Sequence, residues 1–134
     1  MVLRGTATKL LCMMKPKRVE KEWGYEIWLA NNEEEDYCGK ILYIYDGHSS
    51  SLHYHLEKHE TFYVTKGVLE LKLIDTTKGI SYTHRVHTGH TFEIDRGKPH
   101  QLIPFDGDVE FIEISTFHKD TDSYRIERRL NLLR

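Results

Sequence analysis

Two short stretches concentrate side chains that can hold a metal ion. The first runs Gly47-His48-Ser49-Ser50-Ser51-Leu52-His53-Tyr54-His55-Leu56-Glu57-Lys58-His59-Glu60, with Gly67 following. His53 and His55 are two residues apart, and on a strand, where side chains alternate, that spacing points both imidazoles to one face. Four residues then separate His55 from Glu60, enough for a tight turn that brings the next strand, and its carboxylate, back to the same spot. The second stretch runs Gly89-His90-Thr91-Phe92-Glu93-Ile94-Asp95-Arg96-Gly97-Lys98-Pro99-His100. Gly97 permits a turn and Pro99 fixes the start of a strand whose first residue is His100. Three imidazoles and a carboxylate (His53, His55, His100 and Glu60) suit one divalent metal ion: Zn²⁺, Fe²⁺, Mn²⁺ or Ni²⁺. An octahedral ion held by these four would keep two positions open for water or substrate oxygens.

The elements that must position these groups are strands. Segments at 25–29, 39–45, 52–54, 61–65, 68–74, 80–86, 91–94, 101–103 and 109–115 are rich in β-branched and aromatic residues. Turn chemistry separates them: polar Asn31 to Asp36, Asp46-Gly47, Lys66-Gly67, Thr76-Thr77-Lys78-Gly79 and Asp106-Gly107-Asp108. Short strands at this spacing, with no helical period among them, predict an all-β antiparallel sandwich or barrel. Residues 1–19 read as a loose N-terminal arm, 20–118 as the barrel, and 119–134 as a tail. There Ile126, Leu130 and Leu133 recur at helical spacing and predict a short C-terminal helix. The run Ile41-Leu42-Tyr43-Ile44-Tyr45 is apolar on both faces, which predicts a second layer or a dimer partner over the outer face.

Composition narrows the function. The chain has 134 residues, the size of a single domain. Nineteen basic and 21 acidic side chains give a net charge of −2 with no basic stripe, which argues against nucleic acid as a partner. The longest apolar run, Leu10 to Met14, is far too short for a membrane span or a secretory segment. Two cysteines, Cys12 and Cys38, read as free thiols of a cytoplasmic protein. Eight of the nine histidines lie between positions 48 and 100. Of these His48, His84, His87 and His90 fall in or near turns and read as solvated. His59, by alternation, points away from Glu60 and is open to a structural part or to one of steadying a ligand from behind.

The two stretches resemble the two motifs of the cupin superfamily. Gly47, His53, His55, Glu60 and Gly67 meet the first in full. Gly89, Gly97 and His100 meet the second, with Asp95 where a Pro and Pro104 where an Asn is usual. The resemblance implies a small jelly-roll barrel that often dimerises, with His53, His55, Glu60 and His100 as metal ligands. A narrower similarity, to the cupin domain of type II mannose-6-phosphate isomerases, rests on Lys21-Glu22-Trp23-Gly24-Tyr25-Glu26, on Phe111-Ile112-Glu113-Ile114-Ser115 and on Asp120 to Ile126. It implies a homodimeric, metal-dependent isomerase that interconverts aldose and ketose forms of a sugar or sugar phosphate. Arg125 matches that family's terminal Arg and has the fork geometry to bind a phosphate.

The base that would move the proton is not identified by sequence. Phe62, Val64 and Leu102 share the parity of Glu60 and His100, which predicts apolar walls near the metal. Tyr43, Tyr45, Glu70, Lys72, Glu93 and Glu113 are candidates only if their strand faces turn inward. Two alternatives stand beside the isomerase: an Fe²⁺-dependent cupin dioxygenase, and a non-catalytic metal-stabilised module that binds a sugar or other small molecule. A metal-free sugar 3,5-epimerase is disfavoured by the intact set of ligands.

Overall fold

The structure, a computed structural model, describes residues 13–126. Among these, nine strands form one sheet in which every pairing is antiparallel: β1 (Lys17–Lys21), β2 (Gly24–Asn32), β3 (Tyr37–Ile44), β4 (His53–Tyr54), β5 (Glu60–Asp75), β6 (Ile80–His87), β7 (Thr91–Ile94), β8 (His100–Ser115) and β9 (Tyr124–Arg125). The sheet curls on itself as a small jelly-roll barrel. Strands β5 and β8 make its spine. β5 pairs with β8 along most of its length, with β7 at its start and with β6 at its end, while β8 also pairs with β3 and β4. No helix is long and apolar enough to cross a membrane among the described residues.

Two expected strand pairs run together. The segments at 61–65 and 68–74 are one strand, β5, because Lys66-Gly67 makes a bulge in place of a hairpin turn. Gly67 has φ of 75°, and a Cβ there would collide with the Asp108 carbonyl. Gly24 is needed for the same reason, against the carbonyl of Tyr43. The segments at 101–103 and 109–115 likewise join as β8. Residues 17–19, read from sequence as part of the loose arm, belong to β1, which pairs with β2 from Lys17↔Trp28 to Lys21↔Gly24. Ladder hydrogen bonds need no apolar pattern. The strand is held further by the Arg18 guanidinium 3.8 Å above the Tyr25 ring and by Lys17 over Trp28. In the tail, Asp120–Asp122 is a 3₁₀ turn leading into β9. The expected helix rests on Leu130 and Leu133, which lie outside the described residues.

The inward face grades from charge to hydrocarbon along the barrel. On β3 it reads Lys40, Leu42, Ile44; on β8, in reverse, Glu113, Phe111, Val109; and on β5, Glu60, Phe62, Val64. Register stacks these like with like, Lys40 against Glu113, Leu42 against Phe111, Ile44 against Val109. The apolar end continues into Leu69, Leu71, Leu73 and Val86 as one buried cluster. Burial of each such side chain stabilises the fold by about 1.5–3 kcal/mol. That end closes the barrel and leaves the charged end to form a cavity.

Candidate metal centre

The two histidine stretches meet at the charged end. β4 lies beside the start of β8, so His53 and His100 are direct cross-strand partners. Their ring centroids are 4.5 Å apart, with His55 at 5.0 Å from His53 and 5.6 Å from His100. One ring nitrogen from each of the three lies within 4.8 Å of the other two. Glu60, first residue of β5, brings Oε1 to 3.0 Å from His100 Nε2 and 3.8 Å from His55 Nε2.

The rings are oriented by the backbone. Each donates Nδ1–H to a carbonyl: His53 to Ser51 at 2.8 Å, His55 to Asp122 at 2.9 Å, His100 to Lys98 at 2.9 Å. That fixes the tautomer and leaves each Nε2 lone pair free as a ligand. Burial pushes His53 down to about 3, helped by the neighbouring His100, and burial also lowers His55. Both rings are therefore neutral at pH 7, as metal ligation requires. His100 Nε2 and Glu60 Oε1 are buried without a hydrogen-bond partner despite facing one another. Buried polar atoms are rarely left so, and a cation between them would satisfy both. The four side chains thus fit a divalent metal ion.

Behind Glu60 lies a buried ionic group. Lys58 Nζ is 3.2 Å from Glu60 Oε2, 3.1 Å from Glu113 Oε2 and 3.1 Å from His118 Nδ1. An ammonium only donates, so His118 accepts at Nδ1 and donates Nε2–H to Asp120 at 2.9 Å. Burial alone would push Lys58 down, but the two carboxylates outweigh it and raise it above its ordinary range. Burial would likewise raise Glu60, yet the Lys58 ammonium beside it holds its carboxyl well below the usual carboxylate range. Glu60 is thus an anion fixed in place. Deeper along the wall, Lys40 sits 3.5 Å from Glu26 and 4.2 Å above the Trp28 ring.

A cavity of about 1250 Å³ opens on these groups. Phe62 and Leu102 line it, as expected, but Val64 packs in the core behind. The expectation of apolar walls is corrected by Lys58, Glu113, Lys40, Glu26, Gln101 and Ser50, which share the lining. Of the candidate bases only Glu113 turns inward. Tyr43 and Tyr45 cluster with Tyr25 on the outer face, Glu70 pairs with Arg85 there, Lys72 is absent from the lining, and Glu93 is exposed. Arg125, opposite His53 in the β4–β9 pairing, is exposed at the cavity edge. His84, His87 and His90 are exposed, and His48 is exposed at the cavity rim.

Sequence reading missed Lys58, Lys40, Glu26 and His118. Lys58 shares the parity of Glu60, and Lys40 and Glu26 are charges at inward positions of otherwise apolar strands; that was the available signal. His118 lies outside both motifs and carried none.

Comparison with known proteins agrees with this architecture. No curated protein matches the chain in sequence. The fold is similar to oxalate decarboxylase of Bacillus subtilis, with a TM-score of 0.72 at 18% identity over 83% of this chain and 30% of that one. It is similar to the Lactobacillus farciminis oxalate decarboxylase in its formate complex, at 0.70 and 18% over 83% and 34%. The capsular polysaccharide assembling protein CapF of Staphylococcus aureus gives 0.74 at 16% over 86% and 35%. The chain spans about a third of the length of these proteins, and at such identities the likeness is one of fold. Residues 41–115, more than half of the sequence and the span holding all four ligand candidates, match the cupin domain, and the chain belongs to the cupin family.

Proposed function

We propose that this chain is a metal-dependent cupin enzyme that isomerises a sugar or sugar phosphate between aldose and ketose forms. The observation that supports this best is the cavity itself: the candidate ligands open onto charged and hydroxylated walls suited to a molecule rich in oxygen. His53, His55, Glu60 and His100 would hold the metal. When bound it supplies Lewis-acid polarisation of adjacent substrate oxygens, which stabilises the negative charge that develops as a proton leaves carbon. Glu113, the candidate base that lines the cavity, would take the proton from C2 and return it at C1. Lys58 and Ser115 both donate to Glu113 Oε2, at 3.1 and 3.0 Å, and fix the direction of that carboxylate. Arg125, at the cavity edge, would take the phosphate of a phosphorylated substrate. Residence in such a polar cavity is also in keeping with CapF, a capsular polysaccharide assembling protein, sharing the barrel.

The outer face supports assembly as a homodimer. Ile27, Ile41, Ile112 and Tyr63 pair in one row across β2, β3, β8 and β5, flanked by exposed Leu29 and Ile114. A second copy would cover this apolar row.

The test joins metal identification with turnover. Elemental analysis of purified protein is expected to give about one tightly held divalent ion per chain at the inner centre, most of it lost in His100→Ala. Hexose and pentose phosphates are then screened for isomerisation, with Arg125→Ala expected to raise KM for phosphorylated substrates and leave kcat. Iron together with oxygen consumption would favour the dioxygenase reading instead. Native metal with no turnover on any sugar would favour the non-catalytic binding module.

A further inference from the structure

The outer side of the same strand end carries a second convergence of ligand atoms. His59, just before β5, lies one residue beyond the Glu60↔Ile94 pair, and Asp95 lies one residue beyond it on the β7 side. Alternation sends Glu60 and Ile94 inward and therefore His59, Glu93 and Asp95 outward together. His59 Nε2 is 3.4 Å from Glu93 Oε1 and 3.5 Å from Asp95 Oδ1, and one donor atom from each of the three residues lies within 4.8 Å of the others.

Three observations point to a cation. First, His59 Nε2 is shielded from solvent and makes no hydrogen bond, although two carboxylates face it. Second, the separations are those of ligands rather than of hydrogen-bonded partners. Zn–N and Zn–O bonds of about 2.0–2.2 Å at tetrahedral angles place neighbouring donors about 3.3–3.6 Å apart. Third, among the described residues no lysine or arginine pairs with Glu93 or Asp95, and the adjacent Arg96 donates its Nε–H to the Glu57 carbonyl instead. The backbone holds the ligand residue still: His59 N–H donates to Thr116 Oγ1 at 3.0 Å and its carbonyl accepts from Thr116 N–H at 3.1 Å.

We propose that His59, Glu93 and Asp95 form a second, outward-facing divalent metal site, of a chemistry suited to Zn²⁺, with its fourth position open to water. One imidazole and two carboxylates are a donor set that zinc accepts. The ion would tie the start of β5 to the end of β7. These segments lead directly to Glu60 and His100, so the outer ion would brace both ligand-bearing segments of the inner centre.

The test loads wild-type protein, His59→Gln, Glu93→Gln and a His53→Ala/His100→Ala double variant with Zn²⁺ at micromolar free concentration, then measures zinc per chain after desalting. Wild type is expected to hold about two ions, and each outer variant one fewer. The double variant is expected to keep an ion that adding Glu93→Gln removes. Should the inner centre not bind zinc, wild type would carry a single ion lost in His59→Gln and kept in the double variant, and the outer site would still stand. Zinc content unchanged by both outer substitutions, or an outer ion seen only at millimolar zinc, would overturn the proposal. His59 and Glu93 are partly exposed, so these variants keep the fold, and the result does not depend on the double variant being stable.

Discussion

The two sides of the strand end at His59-Glu60 carry the same residue types in different surroundings. Inside, His53, His55 and His100 surround Glu60, every ring is tied to a backbone carbonyl, and the carboxylate is backed by a buried lysine. Outside, His59 meets Glu93 and Asp95, whose side chains are 62% and 76% exposed. The difference is one of support. The inner group is held by a scaffold of protein charges and hydrogen bonds, whereas the outer carboxylates are held by little besides their strand. Substitutions in the supporting residues should therefore be costly inside and nearly silent outside.

Lys58 offers the strongest test of that asymmetry. Its side chain is 3% exposed and is the cation shared by Glu60 and Glu113. Lys58→Met leaves two buried carboxylates uncompensated, and removing one partner from a buried ion pair costs about 3–5 kcal/mol. The expected result is a large fall in the urea midpoint at unchanged m-value. His59→Gln, measured without added metal, should cost less than about 1 kcal/mol, as loss of a contact with exposed side chains does. Equal losses in the two variants would break the comparison.

Asp122 gives a smaller effect of the same kind. Its carboxylate accepts from the backbone N–H groups of Leu56, Glu57 and Lys58 at 2.9–3.2 Å, and its carbonyl accepts from His55 Nδ1. Burial would raise its carboxyl, but these N–H donors hold it below the ordinary range. Asp122→Ala strands three backbone donors in the turn between His55 and Glu60, at an expected cost of about 2–3 kcal/mol. Asp122→Asn, which keeps one acceptor oxygen, should recover part of it. Thermal or urea melts of the three proteins read this directly, and a silent Asp122→Ala would show that the turn holds itself.

The ligand candidates were legible from sequence because alternation and turn length are local rules: His-x-His shares a face and four residues return the chain to Glu60. Support was less legible because it is long-range. Asp122 reaches the 56–58 turn from far along the chain, and His118 reaches Lys58 in the same way. No local period encodes such a contact. Apolar walls are expected because Phe62 and Leu102 share parity with the ligands, while the charges facing the same space come from β2, β3, β8 and the turn before β5. The fused strands β5 and β8 were hidden for a related reason: Lys66-Gly67 has the composition of a turn, and only pairing with β8 makes it a bulge.

Acid titration is the mildest probe of the inner rings. An unfolded histidine has a pKa of about 6.5. In the folded protein burial, reinforced by His100, lowers His53 to about 3, and burial lowers His55. Between those values the unfolded chain binds protons that the folded chain refuses, so stability must rise with pH across that window. The contribution is fully present above about pH 6.5 and is lost as pH falls towards 3. Glu60 acts in the same direction, but only below its unfolded value of about 4.3, as its depressed folded-state carboxyl is approached. The interval from pH 7 to 5 therefore isolates the histidines from the carboxylate. In metal-free protein the urea midpoint should decline steadily over that interval, and His53→Asn should flatten the decline. An undiminished slope in His53→Asn would mean that the inner ring takes up protons as readily folded as unfolded, and the electrostatic distinction between the two faces would fail at His53.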